Sequence, residues 1–137
     1  MQNPPPVQTG KSSTGLDENV ASLLSYLLGW ISGLVFFLIE KDSRLVRFHA
    51  MQSILLSVTI GVFAVVVGIL IAVFVAILSA ISSDLGGIVA LLSSLLWLAF
   101  GLVILLLWVM CLIKAFQGQM YKLPIIGKFA EQFSAPK

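Results

Sequence analysis

Long stretches of the chain are apolar and contain no ionisable side chain. Residues 50–83 and 85–113 hold no Asp, Glu, Lys, Arg or His, and residues 20–39 hold none either. A helix of about 20 apolar residues crosses the roughly 30 Å of hydrocarbon in a bilayer, and an isolated strand could not satisfy its backbone there. The pattern therefore predicts three spanning helices, at about residues 20–39, 53–81 and 85–113.

Polar sequence separates these segments. The charged sequence EKD ends the first segment at residues 40–42, and the turn-forming sequence SDLGG separates the second from the third at residues 83–87. As helices, the second and third segments would each exceed about 40 Å, so we expect them to tilt or to project beyond the bilayer. The predicted fold class is an all-α integral membrane bundle of three helices.

The two ends of the chain are more polar than its centre. Residues 1–19 are rich in Pro, Gly and Ser, which predicts a flexible tail. The spans occupy residues 20–113, and residues 114–137 form a basic tail. Within that tail, residues 124–133 place large apolar side chains on one helical face, with Pro124 at the first position. This segment is too short to span, so we expect an amphipathic helix on the cytoplasmic membrane surface.

Basic residues flank the predicted spans unevenly. The connection at residues 40–49 carries Lys41, Arg44 and Arg47, the C-terminal tail carries four lysines, and the turn at residues 82–87 carries neither Lys nor Arg. Short loops rich in Lys and Arg stay in the cytoplasm. The distribution predicts a multi-pass protein of the cell (plasma) membrane, with the N-terminus outside and the C-terminus inside.

Composition narrows the class of protein further. The chain has 137 residues, of which 59% are hydrophobic and 10% are charged, whereas a soluble domain has about 25% charged residues. A chain of this size has too much surface to bury so many apolar residues. We therefore exclude a soluble globular protein, a disordered chain and a basic nucleic-acid-binding protein. The expected partner is the lipid bilayer, and no nucleic acid is expected.

Small residues recur at helical spacing in the first two segments. Ser25, Gly29 and Gly33 lie four residues apart, and Gly61 and Gly68 lie seven apart. Small side chains allow helix backbones in a membrane to approach closely. Two interpretations stay open: an interface in a homo-oligomer or with another membrane protein, and packing among the protein's own helices.

The stretch EKDSRLVRFHAMQS at residues 40–53 is the most informative polar sequence. Ser43 is expected to cap a helix, and Glu40 lies four residues before Arg44, a spacing that favours an ion pair. We predict a candidate polar site at the cytoplasmic rim, formed by Glu40, Arg44, Arg47, His49 and Gln52.

Two interpretations of this rim are open. In the first, Arg44 and Arg47 bind a phosphate or carboxylate of an anionic lipid headgroup or a partner protein. In the second, the charges end the membrane segment and extend to the interface, while His49 and Gln52 bond to neighbouring backbone. Tyr26 is expected to act as an anchor at the membrane interface.

Motifs of catalysis are absent from the sequence. It contains no nucleophile elbow, phosphate-binding loop, dinucleotide-binding glycines, H-E-x-x-H or C-x-x-C. His49 has no companions at metal-ligand spacing, and the spans lack the ionisable groups of proton-coupled pumps. We expect a protein that is not an enzyme and that has no cofactor and no metal.

Two stretches of the sequence resemble a known family. They are TGLDENVASLLSYLLGWISGLVFFLIEKDSRLVRFHAMQS at residues 14–53 and YKLPIIGKFAEQF at residues 121–133, on either side of the long apolar region. The chain is similar to the DUF4870 family of small bacterial and archaeal membrane proteins, also called UPF0132 and grouped with the chloroplast import component Tic20. The resemblance implies candidate functional positions at Arg47, His49 and Gln52, and a Tic20-like role in protein translocation or insertion.

Together these features predict how the protein acts. We expect helix-mediated assembly, as a homo-oligomer or as a small subunit of a membrane complex. Two alternatives stay open. One is an oligomeric channel or transporter for a small solute. The other is a protein that binds lipid and shapes the bilayer through the basic loop at residues 41–47 and the helix at residues 124–133.

Overall fold

The computed structural model describes residues 10–135, so residues 1–9 of the predicted flexible tail lie outside the described residues, whereas residues 10–18 form a hydrogen-bonded turn. Within it the chain is helical, apart from turns and an isolated bridge between Lys11 and Asp17. The five helices are α1 (Glu18–Leu27), α2 (Trp30–Ile39), α3 (Arg44–Ile81), α4 (Ser83–Phe116) and α5 (Ile126–Ser134). The predicted all-α class is confirmed for these residues.

Helices α3 and α4 are long and apolar enough to cross a membrane. They contain 38 and 34 residues, or about 57 and 51 Å at 1.5 Å per residue. Their most apolar windows are 0% and 6% buried. Helix α3 begins at Arg44 instead of residue 53, and α4 runs from Ser83 to Phe116 instead of from 85 to 113. The polar residues at these ends remain helical. At the start of α3 the Ser43 hydroxyl accepts a bond from the Val46 amide at 3.3 Å, as a helix cap does.

The segment predicted as the first span forms two short helices, α1 and α2. Gly29 lies between them with a φ of 62°, which ends a right-handed helix and which glycine adopts without strain. The Ser32 hydroxyl completes the break, since it accepts a bond from the Leu28 amide and donates to the Ser25 carbonyl, both at 3.0 Å. The prediction of one continuous helix over residues 20–39 is therefore wrong.

The chain divides into two compact units. The terminal unit comprises the described residues up to Val58 and from Trp108 onward, and the central unit comprises Thr59–Leu107. The terminal unit contains α1, α2, α5, the start of α3 and the end of α4. The central unit contains the remainder of α3 and α4.

In the central unit the two helices run antiparallel. The rings of Phe63 and Phe100 lie 5.1 Å apart between centroids. Near the turn, a Cβ atom added to Gly86 would lie 2.8 Å from the Ser79 Cα. Only glycine fits there. The predicted turn at residues 83–87 is itself helical, as the start of α4, and only Ser82 lies between the two helices.

In the terminal unit α1 and α2 form a hairpin against the ends of α3 and α4. The Asn19 amide donates to the Phe116 carbonyl at 3.1 Å, and the Trp108 indole donates to the Tyr26 carbonyl at 2.9 Å. These contacts make α1 antiparallel to the end of α4. The start of α1 therefore lies beside the end of α4.

Helix α2 returns along the start of α3. A Cβ on Gly29 would lie 3.2 Å from the Ser57 hydroxyl, and a Cβ on Gly33 would lie 2.9 Å from the Ala50 carbonyl oxygen. At the other end of α2, Ser13 donates from its amide and hydroxyl to the Glu40 carboxylate, at 2.9 and 2.7 Å. The two ends of the predicted first span thus lie together. Of the described helices, only α3 and α4 are long and apolar enough to cross a membrane.

The C-terminal helix is close to its predicted position. It was expected at residues 124–133, and α5 covers Ile126–Ser134. Ile125 has a φ of 66°, so Pro124 lies before the helix and does not occupy its first position. Gly127 packs against Lys122, whose Cα would be 2.6 Å from an added Cβ. This glycine lets the end of the chain fold back closely.

Candidate functional site

His49 is fully buried and uses both ring nitrogens. Nδ1 lies 3.0 Å from the Tyr26 hydroxyl, and Nε2 lies 2.9 Å from the Gln119 carbonyl oxygen. A carbonyl oxygen only accepts, so we assign the proton to Nε2, and Nδ1 accepts from Tyr26. This is the arrangement of a neutral imidazole.

Gln52 is also fully buried, and its amide is fully used. Its nitrogen donates to the Tyr26 hydroxyl and to the Tyr121 carbonyl, each at 3.0 Å. Its oxygen accepts from the Leu123 amide at 3.2 Å. We call Tyr26, His49 and Gln52 the polar clasp, because the Tyr26 hydroxyl bonds to the other two side chains, which in turn bond to the chain between α4 and α5.

The polar clasp supplies bonds that this connecting segment cannot make for itself. Residues 119–123 are not helical, so their buried backbone groups need partners from side chains. His49 and Gln52 provide them, in agreement with the second interpretation of the rim. Tyr26 was expected to anchor the protein at the membrane interface. Its side chain is instead buried inside the protein, at 1% exposed. Its polar hydroxyl within an apolar segment was the one sequence signal of this role.

Arg47 binds the carbonyl ends of two helices. Its guanidinium donates to the carbonyls of Glu40 at 2.7 Å and Phe37 at 3.3 Å, at the end of α2, and to the Ser134 carbonyl at 3.1 Å, at the end of α5. It also lies 4.4 Å from the centroid of the Phe37 ring. Helix C-termini have unpaired carbonyls and partial negative charge, which a cation stabilises. The bonding capacity of Arg47 is thus directed at the protein's own backbone.

Glu40 is fully buried and accepts bonds from neighbouring turns. Besides Ser13, the amides of Asp42 and Ser43 donate to its carboxylate at 3.0 and 2.9 Å. Burial alone would raise the pKa of Glu40, but the hydrogen bonds from Ser13, Ser43 and Asp42 outweigh it, and the pKa lies below its ordinary value.

The predicted pair of Glu40 and Arg44 is not formed, because Glu40 lies before α3 and not on it. Arg44 pairs with Glu131 at 3.3 Å, and Lys122 pairs with the same carboxylate at 2.7 Å. The hydrogen bond from Lys122 is the main cause of a lowered pKa at Glu131. The five predicted rim residues therefore fall into separate sets: His49 and Gln52 in the clasp, Arg47 beside the backbone of Glu40, and Arg44 on the exposed surface.

The predicted helix-packing residues also have distinct surroundings. Gly29 and Gly33 pack against α3, and Ser25 is buried with its hydroxyl on the Ala21 carbonyl at 3.0 Å. Gly68 faces the Trp97 ring, 3.8 Å from an added Cβ, whereas Gly61 has no atom within 4 Å of one. Close packing within the chain thus accounts for Gly29 and Gly33 but not for Gly61.

Metal-ligating side chains do not cluster in the part of the chain that the structure describes, where no three His, Cys, Asp or Glu residues lie together. The polar atoms of the clasp, of Arg47 and of Glu40 are all engaged with the chain itself. What this arrangement does chemically is to hold backbone segments together at the charged ends of α3 and α4.

Comparison with known proteins gives relatives along most of the chain. A family model described as the magnetosome magnetite crystal formation protein family matches residues 16–130. A UPF0132 membrane protein of Methanocaldococcus jannaschii is 37% identical over 125 residues, which cover 91% of this chain and 96% of the relative. A second protein of that name from the same organism is 34% identical over 122 residues, covering 87% of this chain and 71% of the relative.

A UPF0132 membrane protein of Archaeoglobus fulgidus is 37% identical over 117 residues, which cover 85% of this chain and 95% of the relative. No solved structure matches the chain.

Proposed function

Because the chain belongs to the UPF0132 membrane protein family, as its sequence pattern predicted, we propose that it is a non-enzymatic integral membrane protein that acts by self-assembly. The observation that carries this proposal is the contrast between glycines. Gly29 and Gly33 are packed within the chain, while Gly61, Gly87 and Gly101 face open space.

The exposed surface of α3 and α4 supports residence in a membrane. Side chains such as Leu70, Leu91 and Leu106 are 64–68% exposed on helices that carry almost no buried residues in their apolar windows. In water, every such side chain would cost about 1.5–3 kcal/mol relative to burial. Lipid hydrocarbon removes that cost, so the bilayer is the environment that this surface fits.

We propose a topology of two spans, α3 and α4, with both chain ends in the cytoplasm. All eight Lys and Arg residues lie in residues 11–47 and 114–137, and the first turn of α4, next to the connection between the spans, carries Asp84. The hairpin of α1 and α2 starts and ends beside the basic ends of the spans. The rule for basic loops then places both ends of the chain inside.

The surface proposed for assembly lies on α4. Gly87, Ser94 and Gly101 are spaced by seven residues and thus share one helical face, and all three are exposed. No atom lies within 4 Å of a Cβ added to either glycine. A second copy could approach this face as closely as α2 approaches α3 at Gly33, and such contacts drive helix association in lipid.

The test is the mass of the full-length protein in lipid nanodiscs. The wild type should form an oligomer, and Gly87→Leu/Gly101→Leu should reduce it to a monomer. Ala99→Leu is the matched control, because Ala99 is exposed on a different face of α4, and this variant should stay oligomeric. A monomeric wild type would refute self-assembly, and an oligomeric double variant would refute this surface.

Two more specific roles are associated with proteins that this chain resembles. The family model's description concerns magnetite formation, and our proposal takes no mineral-binding role from it, since it rests on the apolar and glycine surfaces. Translocation or insertion of proteins, implied by the resemblance to Tic20, would be a more specific form of the proposed assembly. Crosslinking of the purified oligomer to a nascent membrane protein would test that form.

A further inference from the structure

The hairpin of α1 and α2 has the length of half a bilayer. Each helix contains 10 residues, or about 15 Å at 1.5 Å per residue, against roughly 30 Å of hydrocarbon. The hairpin covers a similar length of α3. Arg47 contacts Glu40 at one end of this stretch, and Ser57 lies beside Gly29 at the other. These two contacts on α3 are ten residues apart, again about 15 Å.

The two faces of the hairpin differ in chemistry. Its inner face carries small residues, with Ala21, Ser25 and Gly33 buried against the rest of the terminal unit. Its outer face exposes large apolar side chains to 41–67%: Leu28, Trp30, Ile31, Leu34, Val35 and Leu38. An exposed face of this kind fits acyl chains and not water.

Charged residues of both signs surround the place where the hairpin starts and ends. Lys11 pairs with Asp17 at 2.6 Å, and Arg44 and Lys122 share the Glu131 carboxylate, all on the surface. A charged base beside an exposed apolar face matches polar headgroups above acyl chains. This combination selects lipid as the occupant of the outer face.

We propose that the α1–α2 hairpin is a wedge that inserts among the acyl chains of one leaflet and makes the protein favour membranes that are convex on that side. The hairpin adds two helices to this leaflet, each about 80 Å² in cross-section for a diameter of about 10 Å. Neither arm is long enough to reach the opposite leaflet. The added area expands one leaflet alone, and outward curvature relieves that imbalance.

Protein sorting between flat and curved membrane tests the wedge. The full-length protein, labelled at its C-terminus, is reconstituted in giant vesicles of phosphatidylcholine and phosphatidylglycerol, and thin tubes are pulled outward. An external quencher separates the two orientations. Molecules with the labelled end outside should be enriched about twofold or more in the tube, because apolar insertion into one leaflet depends on curvature, and those in the opposite orientation should be depleted. Equal densities would overturn the proposal.

Variants assign the effect to the hairpin. Leu34→Ser/Leu38→Ser changes exposed residues only and should reduce the enrichment, because hydroxyls insert less favourably among acyl chains, with little change in melting temperature. The matched control Leu34→Ile/Leu38→Ile should retain it. The amphipathic helix α5 also exposes Phe129 and Phe133. If Phe129→Ser/Phe133→Ser reduced sorting and the hairpin variant did not, α5 and not the hairpin would be the wedge.

Insertion depth provides a second measurement that is independent of sorting. A spin label at Leu28→Cys, in a Cys111→Ala background, should lie near the bilayer midplane, because Leu28 is at the tip of a hairpin of half-bilayer length. A label found at headgroup depth would overturn the wedge even if the protein sorted to tubes.

Discussion

The terminal and central units are stabilised in different ways. In the terminal unit, polar side chains such as Gln52 and Arg47 bond to backbone carbonyls and amides, and glycines allow backbones to touch. In the central unit, two apolar helices contact each other through aromatic rings and a glycine turn, and most of their large side chains remain exposed. Hydrogen bonds within the terminal unit therefore determine its structure. The central unit needs lipid, or another copy, to cover it.

The largest effect that separates the two units should come from adding bulk to a glycine. Gly33→Leu places a side chain where a Cβ alone is 2.9 Å from the Ala50 carbonyl oxygen and 3.2 Å from the Ser53 Cβ. We expect a loss of at least about 2 kcal/mol in the free energy of unfolding, measured by thermal unfolding in detergent.

Gly61→Leu is the matched control in the central unit, because Gly61 faces open space. It should leave the melting temperature nearly unchanged. Equal destabilisation by the two substitutions would contradict the contrast between packed and open glycines.

The polar clasp should give the next largest effect. Gln52→Leu leaves the Leu123 amide and the Tyr121 carbonyl without their partner, and each unpaired buried group costs about 1–3 kcal/mol. The connecting segment should then open more often, and trypsin should cleave at Lys122 faster. Gln132→Leu, on the exposed surface of α5, serves as the control. Unchanged proteolysis of the Gln52 variant would show that the clasp does not hold this segment.

Arg47 and Arg44 should differ, although both lie at the start of α3. Arg47→Met removes charged hydrogen bonds to the ends of α2 and α5 and should cost about 1.5–3 kcal/mol. Arg44→Met removes an exposed, solvent-screened pair with Glu131 and should cost much less. Unfolding of the two variants in detergent measures the difference. If Arg44 mattered more, the assignment of Arg47 to helix ends would be wrong.

A smaller effect should appear in the pH dependence of the terminal unit. The folded pKa of Glu40 lies below the ordinary value of 4.5. The contribution of its carboxylate to the free energy of unfolding is therefore fully present above pH 4.5. It is lost as the pH falls through the folded pKa. The melting temperature of the wild type should therefore fall as the pH drops below about 4.5.

Glu40→Gln should melt lower than the wild type at neutral pH and change less across the acid range. Glu131→Gln, which removes the other carboxylate with a lowered pKa, should keep most of the slope. A wild-type slope that persists in Glu40→Gln would refute the role of Glu40.

The comparison also shows which parts of the fold could be predicted. The long runs without ionisable residues predicted α3 and α4, because a long apolar helix can be recognised from the sequence without knowledge of tertiary contacts. Hydropathy could not distinguish a span from a hairpin at residues 20–39, since both are apolar. The break depends on Gly29 and on the hydroxyl of Ser32, whose bonds form only in the folded chain.

The site was predicted in part. The polar stretch at residues 40–53 was identified, and its bonding to backbone was one of two interpretations. Its partners could not be found, because Gln119 and Tyr121 are about 70 residues from His49 and Gln52 along the chain and offer backbone atoms, which carry no sequence signal. The spacing of Glu40 and Arg44 misled the prediction, since it assumed that both lie on one helix.

Cysteine accessibility in cells tests the central claim, that α1 and α2 return to the side from which they start. In a Cys111→Ala background, Lys11→Cys, Lys41→Cys and Asp84→Cys are treated separately with an impermeant maleimide, before and after lysis. We expect Asp84→Cys to react in intact cells, and Lys11→Cys and Lys41→Cys to react only after lysis. Reaction of Lys11→Cys in intact cells, with Lys41→Cys still protected, would show that residues 20–39 cross the membrane and would contradict the hairpin.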